Sequence, residues 1–146
     1  MSAFAFTSLS TSLHKHHHIT PILEKLHWLK IPQRIQYKIL FLTYRSIQSS
    51  QPAYIRQLFQ IQPHGPTRSS SHLTLKRPPV ISSLKFCTRS FSHAAPSLWN
   101  KLPKDVRKFA EPSSLNQFTP SLAISPSAFH SKLKTHLFKL SYSTPS

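Results

Sequence analysis

Acidic side chains are almost missing from this chain. Glu24, Asp105 and Glu111 oppose nineteen lysines and arginines, which leaves a formal net charge of +16. Ion pairs within the fold cannot balance so many cations, and like charges repel one another across a compact chain. The same excess attracts phosphate backbones whatever their sequence. We therefore expect a marginally packed domain whose cations either bind RNA or DNA non-specifically or only keep the chain soluble.

The single glycine, Gly65, and the single cysteine, Cys87, exclude several classes of enzyme. A Walker A loop and a dinucleotide-binding fingerprint each need more than one glycine at fixed spacing, and so does the nucleophile elbow of serine hydrolases. One cysteine cannot form an internal disulfide or a multi-cysteine zinc site. Three separated carboxylates cannot supply the clustered acids of a two-metal polymerase or nuclease. We predict that the chain is not an enzyme and uses no cofactor or metal.

Two weaker chemical patterns lead to the same conclusion. Ser90 or Cys87 can be drawn into a triad with His93 and Asp105, but no nucleophile elbow or oxyanion loop accompanies them. A histidine patch lies near the start of the chain at His14, His16, His17 and His18. Because a specific metal site takes its ligands from separated segments, we interpret this patch as an exposed polar tract.

Prolines and serines divide the chain into helical segments joined by loops. Thr20 is expected as an N-cap with Pro21 at the first helical position. Ser125 and Pro126 are expected to begin the last helix. The predicted segments are a disordered Ser/His-rich leader over 1–18, a helical segment over 19–60, a basic loop over 61–90, a tryptophan-containing helical segment over 91–109, a linker over 110–125 and a C-terminal helix over 126–141. The predicted fold is mainly α, with several short helices, long Pro/Ser-rich loops, partial disorder and one short hairpin or strand near 73–90.

Apolar periodicity indicates which helix faces form the core. Ile35, Ile39 and Leu42 repeat at i, i+4 and i+7, as on one face of a helix, and Leu40, Tyr44 and Ile47 widen that face. A second apolar face contains Trp99 and is expected to be interrupted at Pro96. A tryptophan brings a large apolar area to a core. The predicted core anchors are Trp28, Ile39, Trp99 and Leu137.

The basic residues form a candidate interface for phosphates. Arg34, Lys38 and Arg45 fall near one another on one side of a predicted helix, where they can track a phosphate backbone or simply form its solvated face. The predicted contacts to a nucleic-acid backbone are Arg34, Lys38, Arg45, Arg68, Lys76, Arg77 and Arg107. No membrane span is expected, since the longest apolar run covers only residues 39–42. Residues 1–13 lack the basic and long apolar regions of a secretory signal.

Three unusual strings occur in a fixed order along the chain: LHWL at 26–29, AAPSLWNKLP at 94–103 and LKTHLF at 133–138. Together with the blocks around them, they resemble the C-terminal end of the reverse transcriptase polyprotein of non-LTR (LINE-type) retrotransposons, of the chicken-repeat-like group. The resemblance covers residues 17–140. The sequence departs from the family pattern at Lys30 and Ile31, where Pro-Val is usual, and in a longer segment over 108–128. The leader over 1–16 has no counterpart in the family pattern.

The resemblance implies a basic helical extension that lies near nucleic acid beside a polymerase. The family's palm aspartates lie upstream of this region and match no residue here, so the resemblance does not imply catalysis. Two further alternatives stay open. In the first, the chain is a retroelement remnant without a biochemical function. In the second, it is a helical module that binds a protein partner, which the sequence does not identify.

Overall fold

The computed structural model describes residues 19–63, 71–79, 89–110 and 121–143. These residues form five α-helices and one two-stranded antiparallel sheet, which confirms the mainly helical class and the short strand near 73–90. The elements in chain order are α1 (Thr20–Lys25), α2 (Ile31–Ser49), α3 (Ala53–Arg56), β1 (Gln60–Ile61), β2 (Leu75–Lys76), α4 (Phe91–Trp99) and α5 (Pro126–Tyr142). The predicted leader, the residue Arg68 and most of the predicted linker lie outside the described residues.

A proline lies in the first turn of each of the two longest helices, Pro32 in α2 and Pro126 in α5, but α1 is capped differently from its prediction. Ser125 is the N-cap of α5, and its hydroxyl oxygen accepts a hydrogen bond from the Ala128 N–H at 3.4 Å. The N-cap of α1 is Ile19 and not Thr20, because the Ile19 carbonyl already accepts the first helical bond, from the Leu23 N–H at 3.0 Å. Thr20 is therefore the first helical residue, and no side chain caps α1.

Helix α2 buries a different stripe from the one centred on Ile39. Leu40, Tyr44 and Ile47 are 2 %, 1 % and 5 % exposed, whereas Ile35 is 56 % exposed. Ile39 is only half-buried and is not a core residue, so the prediction that it anchors the core was wrong. The reason is that α4 and α5 pack against the Leu40 side of α2.

Stacked aromatic rings form the centre of the core. The Tyr44 and Phe129 rings lie 4.1 Å apart and nearly parallel, and the Trp99 ring lies 6.0 Å from that of Phe129. The indole N–H of Trp99 donates to the Leu73 carbonyl at 3.1 Å, so the buried ring has its polar atom satisfied. Leu137 on α5 is 1 % exposed and belongs to the same cluster. Trp99 and Leu137 thus lie in the core.

Helix α4 runs through Pro96 without interruption, contrary to the prediction of a break. A proline inside a helix removes one hydrogen bond and usually destabilises the helix. Here Pro96 is itself buried, and its carbonyl accepts the Asn100 N–H at 3.1 Å. Burial of the ring against the core offsets the missing bond.

Two side-chain amides connect the loops to the helices. The Asn100 side chain bonds both the N–H and the carbonyl of Leu75 in β2, at 3.0 and 2.9 Å. The Gln48 side chain makes the same pair of bonds with Leu122, at 2.9 and 3.2 Å. These bonds fix β2 and the segment before α5 against the helices. Of the helices described, none is long and apolar enough to cross a membrane.

Candidate nucleic-acid interface

A tight turn ends α1 and sets the position of Trp28. His27 has φ of 53°, in the left-handed region. Its N–H donates to the Glu24 carbonyl at 3.0 Å, and the Trp28 N–H donates to the Leu23 carbonyl at 2.8 Å. This pair of bonds is a Schellman motif, in which glycine usually takes the left-handed position. In this chain a histidine takes that conformation.

The turn is tied to both long helices. The Tyr142 hydroxyl of α5 donates to the Trp28 carbonyl at 2.6 Å. From α2, the Arg34 Nε donates to the Leu29 carbonyl at 2.9 Å. Burial and, to a smaller extent, the Glu24 charge raise the pKa of Tyr142, whereas the Arg34 charge lowers it. The turn is therefore held from two sides.

The turn, the first half of α2 and the middle of α5 enclose an open cleft of about 650 Å³. We call it the basic aromatic cleft. It is lined by His27, Trp28, Leu29, Arg34, Tyr37, Lys38, Lys134, Thr135 and Phe138. Three of these residues are exposed cations, and no carboxylate is among the described residues that line it. A site with this lining favours an anionic ligand that also carries an apolar face.

Neighbouring contacts hold the aromatic rings of the cleft in place. The Arg34 guanidinium lies 5.2 Å from the Trp28 ring centre, a cation–π arrangement. The Tyr37 hydroxyl is hydrogen-bonded to His130 Nδ1, and the two rings meet edge to face. Burial raises the pKa of the Tyr37 hydroxyl. The Phe138 ring packs 4.6 Å from the Tyr142 ring.

The structure brings together only part of the predicted phosphate-contact set. Arg34 and Lys38 both line the cleft, whereas Arg45 is exposed further along α2 and does not. Lys76 and Arg77 are exposed at the end of β2 and line two further depressions there, of about 610 and 240 Å³.

Sequence reasoning missed Lys134, which α5 brings to the same cleft as Arg34 and Lys38. It lies within the LKTHLF string at 133–138, but that string marks only a resemblance. No local sequence pattern predicts that a lysine on the last helix faces a cleft beside α2. The cleft is therefore a tertiary feature.

Arg107 is not a surface cation, so its prediction as a phosphate contact was wrong. It is 6 % exposed. Its Nε donates to the Leu102 carbonyl at 3.1 Å, and its Nη1 donates to the Leu73 carbonyl at 3.4 Å. Burial lowers the pKa of its guanidinium. The Arg107 side chain therefore connects the residues that follow α4 to the segment before β2.

Trp28 is also placed differently from its prediction as a core anchor. Its side chain is 36 % exposed, against 0 % for Trp99. The Schellman turn directs it to the edge of the basic aromatic cleft, outside the buried cluster. Of the two tryptophans, one therefore stabilises the core and the other borders the candidate site.

The drawn catalytic triad is not assembled in the described residues. Ser90 Oγ and His93 Nδ1 lie 3.1 Å apart at the start of α4. Asp105 instead forms an exposed ion pair with Lys108 at 3.5 Å. Cys87 and the histidine patch lie outside the described residues. Within the described ranges, no three His, Cys, Asp or Glu side chains lie close enough to hold a metal ion.

Comparisons of the chain with models of protein families, with curated proteins and with solved structures find no match. What the cleft can bind follows from its own chemistry. It offers three cations, several aromatic rings and an opening to solvent.

Proposed function

We propose that the chain is a binding domain that holds RNA or DNA through phosphates without reading sequence. The observation that carries this proposal is the convergence of Arg34, Lys38 and Lys134 on a cleft with no carboxylate among its described lining residues. The charge of the whole chain, +16, attracts polyanions to it from a distance. Phosphate contacts of this kind position a nucleic acid but carry no sequence information.

The family resemblance is consistent with this proposal. A C-terminal region similar to that of a non-LTR retrotransposon reverse transcriptase is a basic helical extension near nucleic acid. The catalytic aspartates of that family have no counterpart in this sequence, and the acidic residues are too few to replace them. In this proposal the domain contributes binding and no polymerase activity.

The salt dependence of binding tests the proposal. Labelled RNA and DNA oligonucleotides of unrelated sequence are titrated with the full chain, and binding is measured by fluorescence anisotropy. Three contacts to a single strand give a slope of log K against log salt of about −2, a roughly twentyfold loss of affinity between about 50 and 200 mM salt. Oligonucleotides of different sequence should bind alike. Equal affinity at low and high salt would refute electrostatic binding.

A second candidate function is a helical module that binds a protein partner. The observation that favours it is an apolar strip on the first turns of α2, where Ile31 and Ile35 are 71 % and 56 % exposed. Single exposed apolar residues are common, but a contiguous strip often marks an interaction surface or an aggregation site. Sedimentation of the full chain and of an Ile31→Ser, Ile35→Ser variant tests this candidate. If both are folded, monodisperse monomers, the strip does not drive association.

The remaining alternative is a remnant with no biochemical function. If this alternative is correct, the faces of Trp28, Ile39, Trp99 and Leu137 lack some of the packing partners that they have in the parent protein. Trp99 and Leu137 are fully packed, whereas Trp28 and Ile39 are incompletely covered. A cooperative thermal loss of the helical circular dichroism signal, together with salt-dependent binding, would exclude this alternative.

A further inference from the structure

We propose that the basic aromatic cleft accommodates an unpaired nucleotide, so that the domain binds single-stranded RNA or DNA in preference to duplex. This inference rests on the proposed function, which concerns only phosphates, and it adds a class of ligand. Three properties of the cleft support it: its size, the pairing of cations with rings, and the way its walls are held.

The size of the cleft fits one nucleotide. Its volume of about 650 Å³ falls within the range of about 300–1,000 Å³ for pockets that hold small-molecule ligands. A base with its sugar and phosphate is a ligand of that size, whereas a double helix is much too large to enter. A duplex can therefore touch only the cations on the rim of the cleft.

The lining combines the two groups that single-strand binding needs. Arg34, Lys38 and Lys134 provide charge for the phosphates, and Trp28 and Phe138 provide aromatic surface. Proteins that bind single strands without sequence preference pair a basic groove with rings on which bases stack. In a duplex the flat faces of the bases are already stacked on each other. Only an unpaired base can use the aromatic part of this cleft.

Hydrogen bonds within the chain hold two groups in the walls of the cleft. The Arg34 Nε is held by the Leu29 carbonyl at 2.9 Å, and the Trp28 carbonyl is held by Tyr142 at 2.6 Å. A guanidinium carries five N–H donors, so the bond to Leu29 leaves Arg34 further donors for a phosphate. Holding the side chains in place lowers the entropic cost of binding.

The main experiment compares two double variants that remove equal charge. Lys38→Gln with Lys134→Gln removes two cations of the cleft. Lys101→Gln with Lys104→Gln removes two exposed cations that do not line it. The probes are a labelled oligodeoxythymidylate and its duplex with oligodeoxyadenylate, titrated with the full-length variants. Circular dichroism verifies that both variants keep the helical content of the parent chain.

We expect the parent chain to bind the single strand at least about tenfold more tightly than the duplex at the same salt concentration. Loss of two single-strand contacts lowers the salt slope by about 1.4 and the affinity by about 25-fold near 0.1 M salt. The control variant should lose less than about threefold, since its cations act only from a distance. In the cleft variant, duplex affinity should fall less than single-strand affinity, because a duplex contacts only the rim of the cleft.

Tryptophan emission provides a second, independent readout. The chain has two tryptophans, and Trp99 is 0 % exposed. We therefore expect bound oligodeoxythymidylate to quench the emission of Trp28 alone. Trp28→Phe keeps an aromatic ring in the cleft and removes the indole, so it should abolish the quenching. Quenching that persists in Trp28→Phe would place the base elsewhere.

The outcomes separate the two proposals. If neither probe binds at low salt, the proposed function fails and this inference fails with it. If the single strand and the duplex bind equally, and both double variants lose affinity equally, only the inference fails. A poly-glutamate peptide that matches the single strand in affinity would also overturn it, because such a peptide offers charge but no base.

Discussion

Replacing Arg107 by methionine should destabilise the fold without weakening nucleic-acid binding by the folded protein. Arg107 is 6 % exposed, and its guanidinium donates to the carbonyls of Leu102 and Leu73. Methionine keeps much of the aliphatic stem and removes both donors. The Leu73 carbonyl still accepts from Trp99. Arg107 therefore stabilises the fold mainly through its hydrogen bond to Leu102 and by connecting the segments that contain Leu102 and Leu73.

The expected cost follows from these contacts. Hydrogen bonds that involve a charged group contribute about 1.5–3 kcal/mol net. In Arg107→Met the Leu73 carbonyl stays satisfied, and the cost of burying the guanidinium is removed together with the charge. We therefore expect the free energy of unfolding to fall by about 2 kcal/mol. For a chain of 146 residues, that loss lowers the melting temperature by about 4–8 °C. It is a large part of a total stability of about 5–15 kcal/mol.

Urea unfolding followed by circular dichroism measures this loss, and anisotropy at a temperature where both proteins are folded measures affinity. The matched control is Arg45→Met, which removes the same charge from an exposed site on α2. Its stability should stay within about 0.5 kcal/mol of the parent. The placement of Arg107 would be refuted if Arg107→Met were as stable as the parent and bound oligonucleotides at least tenfold more weakly.

Three further perturbations test the fold. Trp99→Ala should cost about 3–5 kcal/mol and leave little cooperative unfolding in urea, whereas Trp99→Phe should retain a measurable transition; equal losses would contradict the central position of this ring. Burial, and then the charge of Lys139, lower the pKa of His136, so the folded state resists its protonation and stability should fall as the pH drops below about 6.5. The same urea series on His136→Gln should show a shallower fall, and an unchanged pH profile would contradict the assignment. His27→Gly should raise stability by up to about 1 kcal/mol, because glycine adopts a positive φ without strain; a lower melting temperature would argue against the left-handed turn.

The long helices were predictable because their signals are local. Proline in the first turn and apolar residues at helical spacing mark both α2 and α5, and the predicted helix over 126–141 differs from Pro126–Tyr142 by one residue. The buried face of α2 was not predictable in the same way. The stripe of Ile35 and Ile39 is as apolar as that of Leu40 and Tyr44, and only the packing of other helices selects between them.

The candidate site depended still more on tertiary structure. The sequence reports how many cations the chain has, but it does not report which of them reach solvent. Arg107 and Lys38 have the same charge, and only the hydrogen bonds to buried carbonyls show that Arg107 is structural. The residue type alone does not distinguish Trp28 from Trp99, because both are tryptophans. Their different roles follow from a left-handed turn at His27 and from a carbonyl that accepts the indole N–H of Trp99.

The contribution of α5 to the core has a consequence for how the protein is synthesised. Phe129, Leu133 and Leu137 are 0 %, 0 % and 1 % exposed, and they cover the buried faces of α2 and α4. A nascent chain that ends before α5 displays the apolar side chains of Tyr44 and Trp99 to solvent and to neighbouring nascent chains. Contacts between residues so far apart in sequence form late, and exposed apolar surface promotes aggregation in the meantime. Between translation of α2 and translation of α5, the apolar surface of this core is therefore incompletely covered.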